Sequence, residues 1–464
     1  RKNMKSLFIH LLLFVIVFKA DVFGQKKINE KFKKETISKI DLLLHEHYVF
    51  PDKAELIVSH LNKSLKEGKF KKQELLDSFA VALTKEIRVV NGDKHLGVWP
   101  AFVPVQGQEN TSDDYQLYLK KYTDTRKQAN GFKEVKVIDG NIGYLNIDFF
   151  LAETNKTIDS YMSLLANTDA IIIDLQNNGG GNPKTVNYLC SYFLKSDLLI
   201  NTLYFREGNR KDEVITHEVD GKKRIDVPLF IITGPKAFSG AEEFSYNMQS
   251  QKRATLVGEA TGGAANPGDV FKINSDLEIF IPTGTGVNPV TKTNWEGIGV
   301  LPEIKTSAEN AYSKTVELAA QAAEIYRNKK AAESKKLYDE LESIAKQQGQ
   351  SDSGKNVEIM EQQITEILKK GIDLDLFTEG DINFFGSQNS KKNPIMAESI
   401  LKSNTVLYSK SPMAYLAYGD MLELNGKKNL ALSNFEKSIA LAEEQRAPYL
   451  EGLKMRYETA KNSK

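Results

Sequence analysis

Ala170-Ile171-Ile172-Ile173-Asp174-Leu175-Gln176-Asn177-Asn178-Gly179-Gly180-Gly181-Asn182-Pro183 is an apolar run that turns polar and then closes on three consecutive glycines. The apolar part has the length and β-branched content of a buried strand. Pro183 is suited to the first position of a helix, and Val186-Asn187-Tyr188-Leu189-Cys190 continues with helical spacing. The stretch therefore predicts a strand, a tight turn and a helix. Further along, Leu229-Phe230-Ile231-Ile232 is followed by Thr233-Gly234-Pro235-Lys236-Ala237-Phe238-Ser239-Gly240-Ala241-Glu242-Glu243-Phe244. That is a second apolar strand running through a glycine-containing turn into a helix from Ser239 to about Gln249. Two such units in one chain point to an α/β core.

Strands are also predicted at Val135–Ile138, Ile142–Ile147 and Thr255–Val257, and helices at about 156–166 and 183–194. The β-rich stretch ends near Ile304. From Thr36 to about Val90 the pattern is helical, with Ile37, Ile40, Leu43 and Leu44 in one segment and Leu56, Ile57, Leu61 and Leu65 in the next. Phe50-Pro51 separates these two segments, and a third helix is expected from Lys72 to Ile87. From about Glu309 the chain is helical and highly charged, with a break from Gln347 to Lys355. Helix pairs are predicted over Asp381–Ser409 and Ala414–Glu443, with a closing helix at about 445–461. Ala417-Tyr418-Gly419-Asp420 followed by Ala431-Leu432-Ser433-Asn434-Phe435 has tetratricopeptide-like spacing: small residues where helices touch and an aromatic on the second helix.

The 464 residues carry 62 Lys+Arg against 61 Asp+Glu, a net charge of +1, so no nucleic-acid partner is expected. Apolar residues make up 41%, enough for a substantial core. The one cysteine, Cys190, lies on an apolar helical stretch and reads as a small buried hydrophobe. With a single thiol, neither an intrachain disulfide nor a thiolate zinc cluster can form. Arg1, Lys2 and Lys5 precede an apolar run from Leu7 to Phe18, and Val22-Phe23-Gly24 stands before Gln25. This reads as an export signal. The run is about 12 residues and a span needs about 20, so stable membrane insertion is not expected. No cofactor and no metal are called for.

Two readings fit each glycine-rich strand end. Asn178-Gly179-Gly180-Gly181 is either a turn needing positive φ or a cradle of exposed N–H groups for an oxyanion. Ser239 is either a helix N-cap or a nucleophile placed where the helix terminus favours developing negative charge. A nucleophilic serine needs a base. Of the six histidines, His95 in Gly92-Asp93-Lys94-His95-Leu96 stands at the entrance to the β region. Glu296 lies in Asn294-Trp295-Glu296-Gly297-Ile298-Gly299-Val300, a loop in which a carboxylate could be held in position.

Taken in order, these blocks resemble the tail-specific, C-terminal-processing serine peptidases, in the branch shared with tricorn protease and interphotoreceptor retinoid-binding protein. The resemblance covers about residues 35–305. It implies a crotonase-like ββα spiral core, an N-terminal helical cap and an all-α C-terminal region. It also implies that Ser239 is the nucleophile, His95 the general base and Glu296 the carboxylate that orients it. The amides of Gly240 and of Gly180 or Gly181 would form the oxyanion hole. The dyad lysine of the processing branch falls at position 264, which is Ala264 here. A Ser–His–Glu acyl-enzyme mechanism on a polypeptide substrate is therefore expected, in the periplasm or outside the cell. If Glu296 binds the imidazole it should raise the histidine pKa, with activity rising between mildly acidic and neutral pH.

The expected layout is a signal peptide at 1–24, a helical cap at 25–90, a peptidase core at 91–308, a helical connector at 309–370 and tetratricopeptide-like repeats at 371–464. Those repeats offer a surface for a protein partner. The competing reading is a non-catalytic carrier of apolar ligands or a peptide-binding protein on the same fold.

Overall fold

A computed structural model describes residues 26–101, 129–348 and 354–463, with a few single positions between 115 and 126. The expected export signal lies outside the described residues. The chain divides into two compact units, residues 1–321 and 322–464.

The first unit opens with three helices: α1 (Glu30–His47), α2 (Pro51–Lys66) and α3 (Leu76–Asn91). Asn29 caps α1, its side chain accepting from the Phe32 N–H at 2.9 Å. Pro51 starts α2 at a position where its missing N–H costs nothing. The buried stripe of α2 is Ala54, Ile57, Val58 and Leu61, while Leu56 is 59% exposed. Leu56 falls one residue off the core face, a 100° rotation that spacing alone does not resolve. The third helix ends at Gly92, which adopts φ 70° and lets the chain reverse. The three helices share one apolar core with two strands, β1 (Gly97–Pro100) and, further along the chain, β10 (Leu277–Pro282).

The main sheet has six strands. In chain order they are β2 (Phe132–Ile138), β3 (Ile142–Ile147), β4 (Ala170–Asp174), β7 (Leu229–Thr233), β8 (Thr255–Gly258) and β12 (Ile304–Lys305). Their spatial order is β12-β8-β7-β4-β3-β2, parallel from β12 to β3 and antiparallel at the β2–β3 hairpin. Every residue of β4 and β7 is buried, as central parallel strands require. The helices α4 (Asn155–Leu164), α5 (Pro183–Phe193) and α6 (Gly240–Ser250) follow β3, β4 and β7. Two antiparallel sheets complete the unit. One is β1-β10-β9 with β9 at Gly268–Lys272, and the other is β11-β5-β6 with β5 at Leu199–Phe205, β6 at Lys211–Ile215 and β11 at Gly284–Val287. The sequence reading found β2, β3, β4, β7 and β8 and did not mark β1, β5, β6, β9, β10, β11 or β12. The buried residues of β1 and β10 meet their partners over a long range, as in the register Val98↔Ile279.

The carboxyl ends of β4, β7 and β8 lie side by side. In open α/β sheets this is where ligands bind. The glycine run follows β4, Ser239 follows β7, and residues 259–267 follow β8.

The division at 321/322 falls within the long helix α7 (Ala308–Gln348). The second unit is all helical: α8 (Gly354–Asp373), α9 (Glu379–Asn389), α10 (Pro394–Leu407), α11 (Pro412–Leu424), α12 (Lys428–Glu444) and α13 (Leu450–Asn462). One core cluster joins Leu337, Leu341, Met360, Ile364, Leu368, Phe377, Ile382 and Ile400. Gly419 on α11 faces the Phe435 ring of α12, and a Cβ there would lie 2.5 Å from a ring carbon. Among the described residues no helix is long and apolar enough to cross a membrane.

A chain shortened to end at Lys330 retains every residue of the first unit. It is expected to fold and to keep a cooperative melting transition, measured by circular dichroism against the full chain. Loss of that transition would mean that residues 331–464 belong to the same folding unit.

Candidate active site

Ser239 lies between the end of β7 and the start of α6, with φ 52° and ψ −113°. A non-glycine side chain in this region is strained by about 1–3 kcal/mol and is retained where the surroundings over-determine it. Here the surroundings are visible. The Ser239 N–H donates to Glu242 Oε2 at 2.8 Å. The Phe238 N–H donates to the Asn178 carbonyl at 3.0 Å, and the Glu243 N–H to the Ser239 carbonyl at 2.9 Å. The serine is thus presented on a sharp strand-to-helix turn, the geometry that exposes a nucleophile above a sheet.

Glu242 is fully buried and acts as the hub of this turn. Besides Ser239, its carboxylate accepts from Thr261 Oγ1 at 2.6 Å, the Gly263 N–H at 2.5 Å and the Ala264 N–H at 2.9 Å. Thr261 Oγ1 in turn accepts from the Val300 N–H at 2.7 Å. One carboxylate therefore ties together the serine turn, the loop after β8 and the loop that carries Glu296. Burial pushes the Glu242 carboxyl up, and these four hydrogen bonds pull it back.

Gly180 packs against the serine. A Cβ on it would lie 2.8 Å from both the Phe238 carbonyl oxygen and Ser239 Cβ, and its φ is 97°. No other residue type fits there. Its own N–H is committed to Asn178 Oδ1 at 2.7 Å. The N–H groups of Gly181 and Gly240 have no such partner among the described residues, and a Cβ built on Gly240 would lie 3.2 Å from the Gly181 nitrogen. Two unpaired donors therefore sit close together beside Ser239.

His95 reaches the same region from the helical cap. After Gly92, the Asp93 N–H donates to Asn91 Oδ1 at 3.2 Å and the His95 N–H to Asp93 Oδ1 at 3.0 Å. Arg88 grips the segment through the carbonyls of Leu96 and Lys94, both at 2.7 Å. Asp93 is held from its other side by the Tyr48 hydroxyl at 2.9 Å. The imidazole lies between two rings, Phe238 edge-on at 5.0 Å and Phe280 stacked at 5.5 Å. Phe238 is the residue before the serine, so the histidine ring packs directly on the turn that carries Ser239. Among the described residues no hydrogen bond joins the ring to Ser239 or Glu296, and Nδ1 is buried without a partner. Catalytic hydrogen bonds are often long before substrate binds.

Glu296 is half-buried on its loop. The Ala265 N–H donates to its Oε2 at 2.6 Å, and the neighbouring Trp295 indole donates to the Ala264 carbonyl at 3.0 Å. One ring nitrogen of His95 and one oxygen each of Asp93 and Glu296 lie within 4.8 Å of one another. This is the set among the described residues that could ligate a metal ion. Burial pushes His95 down to about 4, helped by the Arg88 charge and opposed by Asp93. Burial pushes Glu296 up to about 7, with the Asp93 charge adding to it. The expectation that Glu296 would raise the histidine pKa does not hold. No hydrogen bond joins Glu296 to the ring, and desolvation of the imidazole outweighs attraction to Asp93.

Sequence reasoning passed over Asp93, Tyr48, Glu242 and Phe280. The spacing Ser-x-x-Glu at 239–242 is a capping-box signal and could have flagged Glu242. Tyr48 and Phe280 carry no local signal. Position 264 holds a fully buried alanine, so no ammonium stands where the dyad lysine would be. The Lys94 ammonium donates to the Gly262 carbonyl, and Lys236 is exposed.

The model of peptidase family S41 matches residues 141–306, and the model of the N-terminal domain of peptidase S41 in eukaryotic IRBP matches residues 30–131. The carboxyl-terminal-processing protease of Synechocystis sp. is 24% identical over 165 residues, 35% of this chain and 37% of that protein. The chloroplastic carboxyl-terminal-processing peptidase 2 of Arabidopsis thaliana is 21% identical over 166 residues, 35% of this chain and 31% of that protein. The chain thus spans about a third of the length of these curated relatives. Among solved structures, the photosystem II D1 C-terminal processing protease aligns over 59% of this chain and 93% of its own, with 13% identity and a TM-score of 0.38. The core match runs from β3 through the serine turn to β12, and the N-terminal match takes in the cap and the segment bearing His95. Residues 30–131 and 141–306 are thus similar to the two parts of peptidase family S41 proteins that these models describe.

Proposed function

We propose that this chain hydrolyses peptide bonds, with Ser239 as nucleophile, His95 as general base and Glu296 as the carboxylate that supports it. The observation that carries the reading is the Ser239 turn: a non-glycine residue at positive φ with two unpaired backbone donors beside it. Ser239 Oγ attacks the carbonyl carbon of the scissile bond while the His95 imidazole takes the hydroxyl proton. The carbonyl oxygen becomes an oxyanion and receives hydrogen bonds from the Gly181 and Gly240 N–H groups. The α6 dipole adds its positive end. Imidazolium then returns the proton to the departing amine, leaving an ester on Ser239. Water, deprotonated by the same imidazole, releases the acid and restores the serine. Glu296 and Asp93 lower the cost of the imidazolium in this buried place. The basic head and apolar run at the start of the sequence support action in the periplasm or outside the cell.

The test is a fluorophosphonate label followed by hydrolysis of a peptide library. Labelling and turnover by the wild type, both absent in Ser239→Ala, are expected. Equal inertness of both proteins on every peptide and ester would favour a carrier.

The pH profile provides a further check. Glu296 supports the imidazolium only as an anion, and its carboxyl titrates near about 7 in the fold. Activity is expected to rise as pH climbs through that value, well above the histidine at about 4. Glu296→Gln should remove the limb near about 7. The stability effect has the opposite sign. Between its ordinary value of 4.5 and about 7 the folded carboxyl keeps a proton that the unfolded chain has lost. Stability therefore falls as pH rises through this window, and the glutamine variant should not show that slope.

A further inference from the structure

Glu243 is an ionisable group that the chemistry above does not use. It is half-buried on the first turn of α6, four residues after the nucleophile. Helical side chains lean toward the N-terminus, which turns Glu243 toward the end of α6 that carries Ser239 and Gly240. Its hydrogen-bond partner is Asn201 Nδ2 on β5, at 3.2 Å. Among the described residues no lysine, arginine or histidine pairs with it. The Asn201 amide also lies against Gly286 of β11, where a Cβ would be 3.2 Å from both of its ends. On the α5 side, the buried Cys190 thiol is held up first by burial and then by the Glu243 charge. Val186, also on α5, lies 3.1 Å from the place a Gly240 Cβ would take. The half-buried carboxyl thus sits among α5, α6 and β5, on the turn of α6 that follows the nucleophile.

A half-buried carboxyl with one neutral partner keeps acceptor capacity unused. Burial pushes it up to about 7. A cation arriving beside it would favour the anion and supply the charge-assisted hydrogen bond that the fold leaves unmade.

We propose that Glu243 is the acidic wall of the subsite next to Ser239 and selects a substrate with a lysine or arginine side chain at the residue whose carbonyl is attacked. The inference rests on the peptidase reading for its cleavage arm. Glu242, the adjacent carboxylate, has four donors and is closed to such a role. Glu243 differs from it by one residue and about 100° of helix rotation.

Two measurements test this. In the first, kcat/KM is compared for peptides that differ only in lysine or norleucine before the scissile bond. The wild type should prefer lysine by about tenfold or more, and Glu243→Gln should erase that ratio, with Glu243→Asp restoring part of it. In the second, calorimetry measures binding of the same two peptides to Ser239→Ala, with and without Glu243→Gln. The same lysine preference, lost with the glutamine, is expected. Cleavage by the wild type with no lysine preference overturns the proposal while leaving the peptidase reading intact. If the wild type cleaves nothing, the peptidase reading fails and the binding arm decides alone. Equal affinity of Ser239→Ala for both peptides then overturns the subsite.

Discussion

Replacing Ser239 by alanine is expected to lower peptide turnover by about 10⁴- to 10⁶-fold, and replacing His95 by alanine to lower it by a similar factor. In the proposed mechanism the two act as one unit: without the base the hydroxyl stays protonated, and without the hydroxyl the base has nothing to activate. The double variant should therefore be no worse than either single one. His95→Ala also removes a ring packed between Phe238 and Phe280. His95→Gln separates the two effects, since it fills part of the space without a basic nitrogen of suitable pKa. Turnover of a cleavable peptide, measured after a check of folding by circular dichroism, decides the matter. Near-native activity in His95→Ala beside a dead Ser239→Ala would place the base elsewhere, with Lys94 and Lys236 the next candidates.

The second large effect is expected at Glu242. Glu242→Leu would leave four donors, those of Ser239, Thr261, Gly263 and Ala264, buried or half-buried without their acceptor. At about 1–3 kcal/mol for each orphaned donor, incompletely additive, the loss should reach about 3–5 kcal/mol. That is a large part of the stability of an ordinary domain. Glu242→Gln keeps the shape but turns an N–H₂ toward donors, and should recover only part of the loss. Fluorophosphonate labelling should slow in the glutamine variant more than its melting temperature falls, because the strained backbone of Ser239 depends on this contact. Labelling at the wild-type rate would show that the serine turn holds itself without the carboxylate.

Much of the central fold was legible because its signals are local. β4 and β7 are continuous apolar runs, buried on both faces; β4 ends at Asp174 ahead of a polar and glycine-rich turn, and β7 at Thr233 ahead of Gly234-Pro235. The capped starts of α5 and α6 follow directly. The helices of the cap and of the second unit were legible from periodicity, with boundaries off by a few residues: α3 runs from Leu76 to Asn91, not from Lys72 to Ile87. The strands β9, β10 and β11 were not legible. They are short, and β1 pairs with β10 across more than half of the first unit's length.

What the sequence by itself determined is the set of chemical groups and the turns that can present them: a serine and three glycines at two strand ends, a histidine after a helix stop, and a glutamate in a glycine-rich loop. These follow from backbone rules that act over a few residues. What only the tertiary structure decided is their environment. The Gly180 amide turns to Asn178, which leaves Gly181 and Gly240 as the unpaired donors. Asp93 and Tyr48 stand behind His95, and Glu242 joins three loops. The histidine lies far below its ordinary pKa and Glu296 far above its own, because burial between Phe238, Phe280 and the loop after β8 removes the water that would solvate their charges. Desolvation is set by everything that packs around a group, and those neighbours come from distant parts of the chain.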